Sequence, residues 1–260
     1  MAILDSSFKT GNSWVSESMA LFKAAPRKWL LLSMAYVAIF MMLPSIFGSQ
    51  FFAVITILIW PAFLSAAIAM YRNADMKKQQ NLAEIAAKLQ PKLLPLITLG
   101  ASCLLYSVLM SFVFKADIQA LLNLVPKEGV MTESQTKIVM QTMLPVLLKL
   151  SLALVPVLMA TWFAPMLIAF NNYTFLKAIK SSIAGCLQYM TALGVSWLLL
   201  TLGIAVLMLV AGIVAGLISV LVPVLGQILM PMVLFSLLLL ATALMLAFQY
   251  VSYRDVFRAA

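Results

Sequence analysis

The side chains able to do chemistry are few, and their positions suit little of it. The chain has eight acids, two cysteines and no histidine. The acids are Asp5, Glu17, Asp75, Glu84, Asp117, Glu128, Glu133 and Asp255, and each falls outside or at the end of an apolar run. Ion-coupled transporters and proton relays place acids or histidines within their spans, so that chemistry is not expected. Cys103 lies mid-run and Cys186 beside a basic segment, at different depths, which argues against a disulfide between them. Both read as small buried hydrophobes. Of the eighteen methionines, Met140 and Met143 alone have Met-x-x-Met spacing, too little for soft-metal traffic. There is no phosphate-cradling glycine loop and no Ser-His-Asp set. The expectation is a protein that is not an enzyme, with no catalytic residue, no cofactor and no metal.

Three other groups of residues carry possible function. Tyr71-Arg72 and Tyr253-Arg254-Asp255 fit a contact for a partner or a lipid phosphate, and they fit interface anchoring equally well. Trp60-Pro61 and Trp162…Pro165 fit hinges that line a cavity, against the bland reading of static kinks. Gly212-x-x-x-Gly216 is a small-residue face for close helix packing, more readily inside the chain than between two copies.

The elements that position these residues follow from composition. The chain is 64% hydrophobic and 10% charged, with a mean hydropathy of +1.08. A soluble domain is nearer half apolar and a quarter charged. Between Lys180 and Arg254 no residue is charged. Apolar runs of about twenty residues recur, each long enough to cross a ~30 Å hydrocarbon core as helix. The fold class expected is all-α, a polytopic membrane protein of six transmembrane helices in three hairpins, each preceded by a short amphipathic helix.

Met1–Lys28 is polar and basic and does not read as a cleavable signal. Within it, Val15, Met19 and Phe22 form an apolar stripe flanked by Trp14 and Leu21. Span 1 is expected over about 29–43, ended by Pro44 and an uncharged turn at 45–50, and span 2 over about 51–70. A second amphipathic helix follows, with Asn81 as N-cap, Leu82, Ile85, Ala86 and Leu89 on one face, and Pro91 as its stop. Span 3 is placed at about 93–114. The loop after it carries Ile118, Leu121, Leu122 and Val125 at helical spacing, a turn at 126–129, and Thr132 and Gln135 at capping-box spacing before a second short helix. Span 4 is placed at about 147–170, with Lys149 near its start. Thr174 caps a third surface helix with Phe175, Ile179, Ile183 and Cys186 inward and Lys177 and Lys180 outward. Span 5 runs over about 192–222, long enough to tilt or re-enter, and span 6 over about 232–250 after a turn at Pro223, Gly226, Gln227 and Pro231.

Of the seventeen cations, all but Lys115, Lys127, Lys137 and Lys149 fall on one side of these spans. The positive-inside rule puts that side, with both termini, in the cytoplasm. One membrane domain, 1–260, is expected, with possible repeat units 13–73, 81–173 and 174–255. Trp60 precedes Tyr71 by the same interval as Trp162 precedes Tyr173, and Tyr71-Arg72-Asn73 is echoed by Tyr253-Arg254-Asp255.

Trp14, Glu17, Leu21-Phe22, Ala25-Pro26 and Trp29 open the chain, Trp162-Phe163-Ala164-Pro165 marks its middle, and Tyr250 with Ser252-Tyr253-Arg254-Asp255-Val256-Phe257 closes it. In these residues the sequence resembles an uncharacterised family of six-span inner-membrane proteins of Gram-negative bacteria. More distantly it is similar to the membrane domains fused to glycerophosphodiester phosphodiesterases. The resemblance implies the six-span fold and an inner-membrane location, and it transfers no catalytic residue. The expected role is an accessory or scaffold subunit of a membrane complex. The alternative is a lipid-handling or permease-like protein that moves an apolar or amphipathic solute without ion coupling. Membrane lipid and a membrane-protein partner are the expected associates, and nucleic acid is not.

Overall fold

The computed structural model describes residues 2–47, 50–79, 81–124 and 133–258, and they fold into helices. In chain order these are α1 (Ala2–Ala24), α2 (Pro26–Val37), α3 (Leu43–Phe47), α4 (Gln50–Asp75), α5 (Leu82–Leu89), α6 (Leu93–Val113), α7 (Lys115–Leu124), α8 (Glu133–Trp162), α9 (Ala164–Asn171), α10 (Phe175–Gln188), α11 (Met190–Leu221) and α12 (Pro223–Phe257). A π-helical turn, Ala38–Met42, joins α2 to α3, and a 3-10 turn, Gln90–Lys92, joins α5 to α6. Six segments are long and apolar enough to cross a membrane: Pro26–Ser45, Phe51–Asp75, Leu82–Val113, Val139–Asn171, Met190–Leu221 and Val224–Phe257. That is the build of a multi-pass membrane protein.

Several prolines expected to end helices lie inside them. Pro44 does not stop span 1, which continues through the π turn to Phe47. The turn expected at Pro223–Pro231 is helix, with Pro223 in the first turn of α12 and Pro231 in its interior. The second short helix before span 4 is the start of α8, continuous through Pro145 and Pro156. A proline takes away one N–H and leaves the rest of a long helical ladder in place. The turn at 126–129 and the cap at Thr132 lie outside the described residues. Span 5 is one unbroken helix of 32 residues, longer than a perpendicular crossing needs.

The buried core lies at the end of the bundle where α1 packs on α11 and α12. Trp14, Trp29, Tyr71, Phe163, Phe248, Tyr250 and Tyr253 fill it with the aliphatics Leu64, Ile68, Leu96 and Leu99. α1 lies across the start of α11 and the end of α12. Its inward face is Gly11, Trp14 and Ser18, while Met19, expected inside, is exposed. Gly11 brings the helices close: Ser196 Oγ donates to Gly11 O at 3.0 Å, and a Cβ there would lie 2.8 Å from Ala192 O. Gly100 does the same between α6 and α4, where a Cβ would fall 2.6 Å from Leu58 O. α5 rests on α4 through Ile85 and Leu89, with Leu82 and Ala86 outward, and Asn81 Oδ1 accepts from Ala83 N at 3.0 Å as its cap. α10 rests on α8 and α9 through Ala178, Ser182 and Cys186, and its Gly185 faces Val256 and Phe257 of α12. Thr174 holds the cap backbone without a capping side-chain bond.

Candidate functional site

The polar residues at this end converge on Arg254. Its Nη1 donates to Asp75 Oδ2 at 3.0 Å and its Nη2 to Asp255 Oδ1 at 3.2 Å, and Nη2 also pairs with Glu17. Tyr250 OH donates to the same Asp75 oxygen at 2.7 Å, and Trp14 Nε1 donates to Asp255 Oδ2 at 2.8 Å. Ser13 Oγ donates to the other oxygen of Glu17 at 2.8 Å. One guanidinium fork therefore joins α1, the end of α4 and the end of α12, with three carboxylates set around one cation. Planar bidentate geometry is what arginine offers and lysine does not. Among the described residues no group of three or more His, Cys, Asp or Glu is arranged to hold a metal.

The two tyrosines of the sequence echo are inside the protein. Tyr71 and Tyr253 are each 0% exposed, which corrects the expectation that they face a partner or lipid phosphate, because burial leaves them no outward surface. Tyr71 stacks on Trp29 and donates to Ala243 O at 2.9 Å. Trp29 Nε1 in turn donates to Leu21 O at 2.8 Å. Tyr253 donates to the Asn171 side-chain oxygen. Arg72 stands over the Phe170 ring, 5.3 Å from its centroid. Arg254 and Asp255 keep some exposure, yet both are engaged within the chain.

The tryptophan-proline motifs meet through one hydroxyl. Ser65 Oγ lies 2.8 Å from Pro61 O and 3.1 Å from Pro165 O, linking α4 to α9. Pro61 sits within an unbroken α4, and Trp60 Nε1 donates to Tyr36 OH at 3.1 Å, inside the first hairpin. The break in span 4 falls at Phe163, two residues before Pro165. There Ser182 enters the helical ladder: its Oγ accepts from Phe163 N at 3.0 Å and donates to Met159 O at 2.7 Å. Gln249 Nε2 caps Trp162 O at 2.7 Å. These bonds satisfy the groups that the break exposes and favour a fixed bend over a hinge. Gly212 and Gly216 have no atom within 4 Å of a Cβ position. Among the described residues nothing therefore fills the small-residue face at these two positions.

Beside the break, Val155, Leu158, Met159, Trp162, Met190, Leu193 and Trp197 line an apolar cleft of about 240 Å³ between α8 and α11. Trp162 Nε1 is buried there without a hydrogen-bond partner. Cys186 reaches the same cleft, and burial pushes its thiol up to about 12. Sequence reasoning picked out Arg254 and Asp255 but not their partners Asp75 and Trp14, nor Ser182 and Gln249.

The chain matches no family model, no curated protein and no solved structure.

Proposed function

We propose that this is a non-enzymatic inner-membrane protein that serves as an accessory or scaffold subunit of a membrane complex, with both termini in the cytoplasm. The observation that carries the reading is the uneven covering of the spans. Packing joins α2 to α12 and α4 to α6, and among the described residues no comparable packing joins α8 to α11. In the most apolar stretch of each of spans 4 and 5 only 6% of residues are buried, against 33% in span 2. Gly194, Gly203, Gly212 and Gly216 on α11 have open space at their Cβ positions. Small residues on a lipid-facing helix let a second backbone approach closely, so a partner helix suits this side.

The surface helices support the three-unit reading. α5 packs on the hairpin before it, α10 on the hairpin before it, and α1 on the last hairpin, which is the same relation carried around a ring. On that reading α8 and α11 form the third seam of the ring, the one left unfilled. Both termini share the end that carries most of the cations, which is the side the positive-inside rule keeps in the cytoplasm.

The test is native mass spectrometry of the protein released gently from its own membrane, with reporter fusions at both termini. A stoichiometric membrane-protein partner and two cytoplasmic reporters are expected. A bare chain after mild release would overturn the subunit role.

A second reading, lipid handling without ion coupling, is favoured by the apolar cleft with the unpaired Trp162 indole N–H. An ester carbonyl would satisfy that donor. A bare chain carrying one defined phospholipid in the same measurement would select this reading.

A further inference from the structure

A second crevice, at the basic end, has the opposite character. It lies between α4, α5 and α9, has a volume of about 380 Å³, and is lined by Arg72, Lys78, Lys88 and Lys92. Among the described residues that line it Glu84 is the one acid, so four cations face one carboxylate. The crevice thus gathers positive charge that its own lining does not balance.

We infer that this crevice binds one phosphate-bearing anion, supplied by the headgroup of an anionic phospholipid. Three observations point there. Arg72 is held against Phe170 at 5.3 Å, so its fork is oriented by packing as well as by charge, and arginine suits the paired oxygens of a phosphate. Asn73 and Asn172 add neutral amides to the lining, partners for the uncharged polar part of a headgroup. The chain that supplies Lys92 then runs into Leu93 and Leu94, both exposed, at the start of span 3. Apolar surface beside a cationic crevice suits an acylated anion better than a free one, because the chains and the headgroup each find a matching environment. The inference is independent of the subunit role, which rests on the other side of the bundle.

The test uses the full chain in detergent, titrated separately with phosphatidylglycerol, phosphatidylcholine and inorganic phosphate and followed by native mass spectrometry. One tightly held phosphatidylglycerol is expected, with phosphatidylcholine much weaker. Lys78 and Lys88 are exposed, so Lys78→Ala with Lys88→Ala leaves the fold in place. That pair should weaken retention about 30-fold, equivalent to roughly 1 kcal/mol per cation near a membrane surface. The matched pair Lys177→Ala with Lys180→Ala, exposed on α10, should leave retention unchanged. Equal loss in both double variants, or equal retention of the two lipids, would overturn the site. Saturable binding of inorganic phosphate that the Lys78/Lys88 pair abolishes, without lipid retention, would overturn the lipid source and leave the anion site.

Discussion

Arg254 at the end of the last span donates to Asp75 at the end of the second, at 3.0 Å and across 179 positions of sequence. The same guanidinium holds Glu17 of α1. Side-chain exposures of 25% for Arg254 and 29% for Asp75 place the pair between a surface and a buried ion pair. Removing one partner of a buried pair costs several kcal/mol and of an exposed pair less than one. Arg254→Gln should therefore destabilise the protein by about 1–3 kcal/mol, since it leaves three carboxylates facing one another. Asp75→Asn should cost less, because Tyr250 still has an oxygen to donate to and Arg254 keeps two carboxylates. Thermal unfolding of both variants and of the double variant measures the coupling. An additive result would mean that the pair holds nothing together.

Ser182 substitutes for a missing rung of α8. Ser182→Ala deletes one acceptor and one donor at once, leaving the buried Phe163 N without its partner and Met159 O with only the weak donor Cys186 Sγ at 3.6 Å. Each unsatisfied buried group costs about 1–3 kcal/mol, so this small change should lower stability by at least the lower figure. Ser181→Ala, one position along the same helix, provides the control. If the two variants unfold at the same temperature in detergent, the break at Phe163 does not depend on the hydroxyl.

What could be read from the chain alone divides by distance. The six spans, the Asn81 cap and the helical spacing of Ile118, Leu121 and Leu122 rest on hydrophobic runs and local pattern, and six candidate spans, that cap and a helix over those three residues are present. The prolines misled because their effect depends on neighbours: Pro44, Pro223 and Pro231 sit in helices, whereas span 4 breaks beside Pro165. The polar cluster was half legible. Arg254 and Asp255 stand out in an uncharged stretch, but Glu17 lies 237 positions from Arg254 and looks like any surface acid. Ser182 and Gln249 are ordinary neutral residues whose role exists only once α8 is broken.

Two glycine substitutions should separate folding from association. At Gly100 a Cβ would fall 2.6 Å from Leu58 O, a backbone atom with little room to move. Gly100→Leu should force α6 away from α4 and cost the protein its fold or several degrees of thermal stability. At Gly212 no atom of the described residues outside its own helix backbone lies within 4 Å of a Cβ position, so Gly212→Leu should leave the isolated chain as stable as before. If α11 seats a partner helix, Gly212→Leu should release that partner during mild solubilisation. A partner retained at full stoichiometry by Gly212→Leu would move the interface elsewhere.

Cys186 gives a readout of the seam from its basic end. Burial holds its thiol neutral to about 12, whereas an unfolded cysteine ionises near 8.5. The thiolate is the reactive form, so in a Cys103→Ser background Cys186 should resist alkylation at pH 8 and react at a free thiol's rate only after unfolding. The same shift links stability to pH. From about pH 9 upward the unfolded chain releases this proton and the folded one keeps it, so stability contributed by the buried thiol should fall as pH rises toward 12 and be fully present below about 8. Cys186→Ser lacks that ionisation, and its stability should decline less over the same range. Rapid labelling of the folded protein at pH 8 would show that the packing of α10 on α8, at the edge of that seam, opens far enough to hydrate the thiol. The apolar cleft beside it would then be reachable from water as well as from the membrane.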